Sequence, residues 1–158
     1  MSECAEQCIA IVREEYDGEI LESGTAGQYE VVFTVPAEQI VQFATYIVNR
    51  GWWHLATITG QDLGEQIEML YQFNAEEPPA VTIKAAVPKS DPRLPSITPQ
   101  LPAATMYERE IFDLLGVQFE GHPRLERLVL SDDWPEGVYP LRLEELAKQA
   151  ERDEEEKA

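Results

Sequence analysis

The sequence predicts an α+β fold: a mostly antiparallel four-stranded sheet with helices on one face, followed by a charged helix and an extended C-terminal segment. Three observations point there. Four short segments rich in β-branched and aromatic residues are separated by turn residues. Two early segments repeat apolar residues at helical spacing. Hairpin-length connections join the last three strands, which favours a meander.

Residues 3–16 (ECAEQCIAIVREEY) place Ala5, Cys8, Ile9, Val12 and Tyr16 on one helical face, with Ser2 as N-cap and Asp17-Gly18 as the stop. Residues 19–27 are polar and carry glycine, which suits a strand edge or a loop. Residues 28–35 (QYEVVFTV) alternate and form the first strand. Pro36 fits the first turn of a helix over 37–49, where Ile40, Val41, Ala44, Ile47 and Val48 share a face and Gly51 follows. Strands are expected at 52–59, 65–73 and 80–87, with turns at 60–64 (GQDLG) and 74–79. Residues 1–87 thus make an α+β core.

Residues 88–102 differ, with five prolines in fifteen positions, and are expected to be extended and polyproline-like. Leu94, Ile97 and Leu101 give this arm apolar anchors that a solvent linker does not need. Residues 103–143 hold the charged helix and an irregular docking segment, packed with the core as one domain. Residues 144–158 form an acidic tail. Leu143, Leu146, Ala147 and Ala150 give it a weak helical start, and its end, DEEEK, is expected to be a frayed helix or disordered.

The formal charge is -18, from 30 acids against 12 bases. That excludes a nucleic-acid backbone as partner and direct adhesion to anionic lipid. No apolar run approaches the ~20 residues that cross a bilayer, and no signal peptide opens the chain. The expectation is a soluble intracellular protein without direct membrane insertion. Cys4 and Cys8 lack the further ligands of a structural zinc or iron–sulfur site.

Thr105-Met-Tyr-Glu108 reads as a capping box. Tyr107, Ile111, Leu114, Phe112 and Leu115 form a wide apolar stripe, and Gly116 stops the helix. Arg109 and Asp113, four apart, are placed to pair on its surface.

From Glu108-Arg109-Glu110-x-x-Asp113-Leu-Leu-Gly116, through Phe119-x-Gly121-His122-Pro123 and a following Leu-rich strand, the chain resembles the thirty-kilodalton subunit family of complex I, the NADH-quinone oxidoreductase. The resemblance extends over roughly 28–142. It includes Leu55-x-x-Ile58-Thr59-Gly60-x-Asp62, Pro95-Ser-Ile-Thr-Pro99 and Asp132-Asp133-Trp134-Pro135-Glu136-Gly137-Val138-Tyr139-Pro140-Leu141-Arg142. It looks most like the small subunit of energy-converting, membrane-bound [NiFe]-hydrogenases.

The resemblance implies a non-catalytic peripheral-arm subunit without a cofactor or metal of its own. Its implied partners are the large subunit, with the quinone site or the nickel–iron centre, and a neighbouring iron–sulfur subunit. The implied location is the cytoplasmic face of the plasma membrane, reached through the complex. The implied subunit-interface residues are Glu108, Arg109, Glu110, Asp113, His122, Pro123, Trp134, Tyr139 and Arg142. Arg124 and Glu126 depart from the family pattern and reverse the charge at that edge.

Other chemistry finds little support. No P-loop or Gly-x-Gly-x-x-Gly follows a strand, and the acids at 132–136 lack calcium-loop spacing. His54 sits in an apolar strand, and His122 reads as a hydrogen-bonding clasp in its loop. Two alternatives stay open at this point: a hydrolase using His122 with Asp132 or Asp133, and an acidic protein-binding module outside respiratory complexes. Trp134, Tyr139 and Leu141, in a run that cannot build its own core, suit interface anchors.

Overall fold

A computed structural model describes the backbone at residues 2–27 and 29–156, and side chains at 4–27 and 29–152. The side chain of the expected Ser2 cap, Gln28 at the head of the first strand and the last two residues of the acidic tail lie outside the described residues, while the backbone of 153–156 continues the final helix.

Helix α1 (Ser2–Glu15) comes first, then strands β1 (Glu22–Thr25) and β2 (Glu30–Thr34) and helix α2 (Ile40–Asn49), entered through a short 3-10 turn at Ala37–Gln39. Strands β3 (His54–Asp62), β4 (Gln66–Asn74) and β5 (Ala80–Pro88) follow. Next are β6 (Arg93–Pro95), α3 (Thr105–Leu115), β7 (Gln118–Glu120) and α4 (Leu143–Glu156).

The main sheet has five strands in the order β1-β2-β5-β4-β3. The expected meander is present: β3, β4 and β5 pair antiparallel, with Ile58 opposite Tyr71 and Tyr71 opposite Ile83. The sheet is mostly antiparallel, as expected, and two features correct the four-stranded reading. The polar stretch Glu22–Thr25 is a fifth strand, antiparallel to β2. Strand β2 joins β5 in parallel, so the sheet is mixed. The reason is the crossover through α2, which carries the chain over the sheet and returns it at the far edge.

Alternation decides which face is covered. Val31, Phe33, Val81, Ile83, Ile67, Met69, Tyr71 and Phe73 are fully buried on one face. Their neighbours in β2, β4 and β5, such as Val32, Lys84 and Leu70, are only half-buried, although Thr82 is buried too. Helix α1 covers the sheet with Ala5, Cys8 and Val12, and α2 with Ile40, Phe43, Ala44 and Ile47. Edge-to-face rings tie them together: Tyr16 to Phe43 at 4.7 Å and Phe43 to Phe33 at 5.4 Å between centroids.

The proline-rich arm does not run extended throughout. Leu94 and Ile97 are buried at 1% exposure. Strand β6 pairs in parallel with β7, and Leu101 N–H donates to the Ile97 carbonyl at 2.8 Å, closing a turn. The Leu-rich stretch after His122-Pro123 is a series of turns and not a strand. No helix of the described residues is long and apolar enough to cross a membrane.

Candidate functional site

Helix α3 is the spindle about which the signature residues are arranged. Tyr107 fixes it to β3 by donating its hydroxyl to the Ala56 carbonyl at 2.9 Å. Gly60 allows close approach: a Cβ there would stand 2.6 Å from Leu115 Cδ1 and 2.7 Å from Met69 Cε. The helix then holds three other pieces of chain along its length.

Its first turn holds the arm. Glu108 is fully buried, and the expected capping box does not form. Thr105 Oγ1 instead donates to the Pro102 carbonyl at 2.7 Å. The Glu108 carboxylate accepts Ser96 O–H at 2.5 Å, Ile97 N–H at 2.8 Å and Thr98 O–H at 2.9 Å. Three tertiary donors outcompete one local amide because the carboxylate is enclosed and needs them. Burial pushes the Glu108 carboxyl above the usual range, against these hydrogen bonds and the nearby His122. Burial, with the Glu108 charge second, also pushes the Tyr71 hydroxyl well up.

The His122 side chain is enclosed beside it, with Nε2 4.0 Å from Glu108 Oε2. Arg124 N–H donates to Nδ1 at 3.0 Å, so Nε2 carries the proton and donates to the Thr105 carbonyl at 3.2 Å. Both ring nitrogens are thus engaged with backbone, and neither reaches Asp132 or Asp133, which are exposed. That removes the geometric basis for a His122–Asp hydrolase.

The middle of α3 holds residues 126–130. Arg109 and Asp113 do not pair with each other. Asp113, 4% exposed, accepts the backbone amides of Leu128, Val129 and Leu130 on one oxygen at 3.1, 2.8 and 2.8 Å. Burial raises its pKa, but those three amides and Arg127 outweigh it and hold the carboxyl below its ordinary value. Arg109 donates to the carbonyls of Glu126 at 3.1 Å and Arg127 at 2.8 Å. Glu126, the reversed charge, takes a use within the chain: its carboxylate meets Arg124 at 2.7 Å and Arg109 at 3.4 Å.

The end of α3 holds residues 139–142. The carbonyls of a helix's last turn lack intrahelical donors. Leu141 N–H takes that of Leu114 at 3.2 Å, and Arg142 Nε that of Leu115 at 2.9 Å. Gly116, at φ 76°, turns the chain left-handed, and the Tyr139 ring lies where its side chain would be. The Arg142 guanidinium lies 4.6 Å from the Tyr139 ring centre. Trp134 bonds within its own loop, Nε1 to the Val138 carbonyl at 2.9 Å.

The structure thus gathers Glu108, Arg109, Asp113, His122, Tyr139 and Arg142 around one helix. Glu110 and Pro123 stay exposed on its outside. Two contributors escaped the sequence. Arg127 ties the run together by donating to the Ser131 and Trp134 carbonyls, both at 3.0 Å. Lys89 bridges the nearly enclosed Asp62 and the more exposed Glu144, 2.5 Å from each. Nothing in local spacing marks Arg127. Lys89 directly follows Pro88, a strand-end position where a cation had a nearby turn acid, Asp62, to find. Among the described residues no group of three His, Cys, Asp or Glu side chains is placed to hold a metal ion.

Comparison with known proteins agrees with this architecture. A family model described as respiratory-chain NADH dehydrogenase, 30 Kd subunit, matches residues 33–151. An NADH-quinone oxidoreductase subunit of Moorella thermoacetica is 39% identical over 112 residues, covering 68% of this chain and 74% of that protein. Membrane-bound hydrogenase subunit beta of Pyrococcus furiosus is 40% identical over 89 residues, 54% of this chain and 51% of that one. A solved chain from the membrane-bound sulfane sulfur reductase, an archaeal respiratory membrane complex, superposes with TM-score 0.76 at 26% identity, covering 94% of this chain and 92% of its own length. Other relatives are much longer: the chain spans 25% of formate hydrogenlyase subunit 5 of Escherichia coli. With a matched model over three quarters of its length, and its signature residues clustered on one helix, the chain belongs to the 30 kDa subunit family of the respiratory-chain NADH dehydrogenase.

Proposed function

We propose that this chain is a non-catalytic peripheral-arm subunit of a membrane-associated oxidoreductase complex, of NADH-quinone oxidoreductase or energy-converting hydrogenase type. In this reading it docks on the large subunit beside an iron–sulfur subunit and supports electron transfer coupled to ion pumping. It binds no cofactor itself and stays on the cytoplasmic face through its partners.

One observation carries the reading. The charged residues that would have to do chemistry are engaged in shaping the chain: Asp113 and Arg109 fix residues 126–130, and Arg142 fixes the end of α3. The result is a rigid, irregular surface carrying Trp134, Tyr139 and exposed Leu141, which suits recognition of another protein. The relatives' membership in respiratory and hydrogenase complexes supports the same reading.

Affinity purification of the tagged chain from detergent-solubilised native membranes tests it. The wild type should bring down a large oxidoreductase subunit in equal amount. Asp113→Ala should lose that subunit while keeping the far-ultraviolet circular dichroism of the sheet and helices. Recovery of the wild type as a free monomer would overturn the proposal.

A further inference from the structure

Four of the exposed large apolar residues gather at one corner: Leu63 at 56%, Leu141 at 44%, Leu143 at 48% and Leu146 at 43% exposure. The corner is built around Asp62. Its carboxylate accepts the Leu143 amide, the first of α4, at 3.0 Å, and the Gly64 amide at 2.8 Å. Lys89 then clamps Asp62 to Glu144 on the helix. The base of α4 is therefore fixed to the end of β3 rather than loosely attached.

The helix so fixed leaves its apolar stripe uncovered. Leu143, Leu146, Ala147 and Ala150 stand at i, i+3, i+4 and i+7, and all four are exposed. A helix of fourteen residues is marginal in water without tertiary packing. Beside its base runs a groove between β3 and α3, about 160 Å³, lined by residues that include Thr57, Gly60, Tyr107, Glu110 and Leu141.

Resting on the reading of this chain as a member of a larger complex, we infer that this corner docks into an apolar groove rimmed by lysine and arginine on a neighbouring protein subunit. Charge selects this occupant. Around the stripe stand Glu144, Glu145 and Glu151, against Lys148, which pairs with Glu145 at 2.7 Å, and Arg152. A second copy would bring the same acid-rich helix on a chain whose formal charge is also -18, and be repelled. An anionic lipid surface is repelled for the same reason. A basic-rimmed groove takes the leucines at its centre and the acids at its edge, the helix-in-groove mode.

The test uses the full-length chain in its native complex. The double variant Leu143→Glu/Leu146→Glu should fold with an unchanged melting temperature, because both sites are exposed. It should assemble about tenfold less well, as loss of two interface anchors does. A photo-crosslinking residue at 146 should label a neighbouring subunit at an apolar segment flanked by Lys or Arg, mapped by mass spectrometry. Assembly equal to wild type, or crosslinks to a second copy or to lipid, overturns the inference. Those outcomes leave the broader reading standing as long as the wild type still co-purifies with its large subunit. A wild type that purifies alone overturns both.

Discussion

A carboxylate sealed from solvent has to be held by donors, and Glu108 is held by three of them from residues 96–98. Burial still dominates and raises its pKa above the ordinary 4.5. The sign follows from linkage. The folded state binds this proton more tightly than the unfolded chain does. Its contribution to stability is fully present below pH 4.5 and is lost as pH rises through the folded value. Glu108→Gln keeps an acceptor for the Ile97 amide and removes the titration. Its melting temperature relative to wild type should therefore improve as pH rises above 4.5, measured by calorimetry across pH. A constant difference would show that Glu108 does not titrate there. Cys8 is a second case: burial first, then Cys4, pushes its thiol up to about 11. At neutral pH Cys8 should resist alkylation, which mass spectrometry of the labelled protein will show.

At the level of elements, the contact between the C-terminal run and α3 turns on Gly116. Alanine there meets a φ of 76° and a Tyr139 ring whose nearest atoms would lie 2.5 Å from its Cβ. Gly116→Ala should cost about 1–3 kcal/mol. Peptides 139–142 should lose hydrogen-exchange protection while β4 keeps its own. The same elements show what the sequence could and could not reveal. Strands β3, β4 and β5 and helix α2 were legible because each buries one face and writes that face as a period. Strand β1, with the sequence Glu-Ser-Gly-Thr, buries almost nothing and leaves no period to read. Strands β6 and β7 are three residues each, too short to signal. Around α3 the local rules pointed the wrong way. Spacing suggested an Arg109–Asp113 pair and a Thr105–Glu108 box, yet both acids went to donors that are ten to seventeen residues away. Such partners are set by tertiary packing, which local spacing does not encode. The residue types were informative where the pairings were not: a helix this rich in charge beside an irregular run signalled that something had to be held.

For the molecule as a whole, two carboxylates tie the C-terminal run to the rest. Asp113 holds residues 128–130 against α3, and Asp62 holds the start of α4 against β3. Burial raises both pKa values, but hydrogen bonds outweigh it: Lys89, Leu143 and Gly64 at Asp62, and three amides at Asp113. Both carboxyls therefore stay below 3.8. Their contribution is present above that ordinary value and disappears as pH falls through the folded values, opposite in sign to that of Glu108. Lowering pH thus removes the ties at 113 and 62 while Glu108 becomes more comfortable in its buried site. The covered face of the sheet, from Val31 to Phe73, is sealed by apolar residues, and the carboxylates of Glu30 and Glu68 stand on its opposite face beside Thr82 and Lys84. Acid should consequently release the C-terminal run before the sheet unfolds. Amide exchange at Leu128, Val129, Leu130 and Leu143 should accelerate below about pH 3.8, while the amides of Met69, Tyr71 and Ile83 stay protected. Asp113→Asn should remove the pH step at 128–130 and leave the one at 143, because the two ties stand on separate elements. A single cooperative acid transition at all these amides would show that run and sheet unfold as one unit.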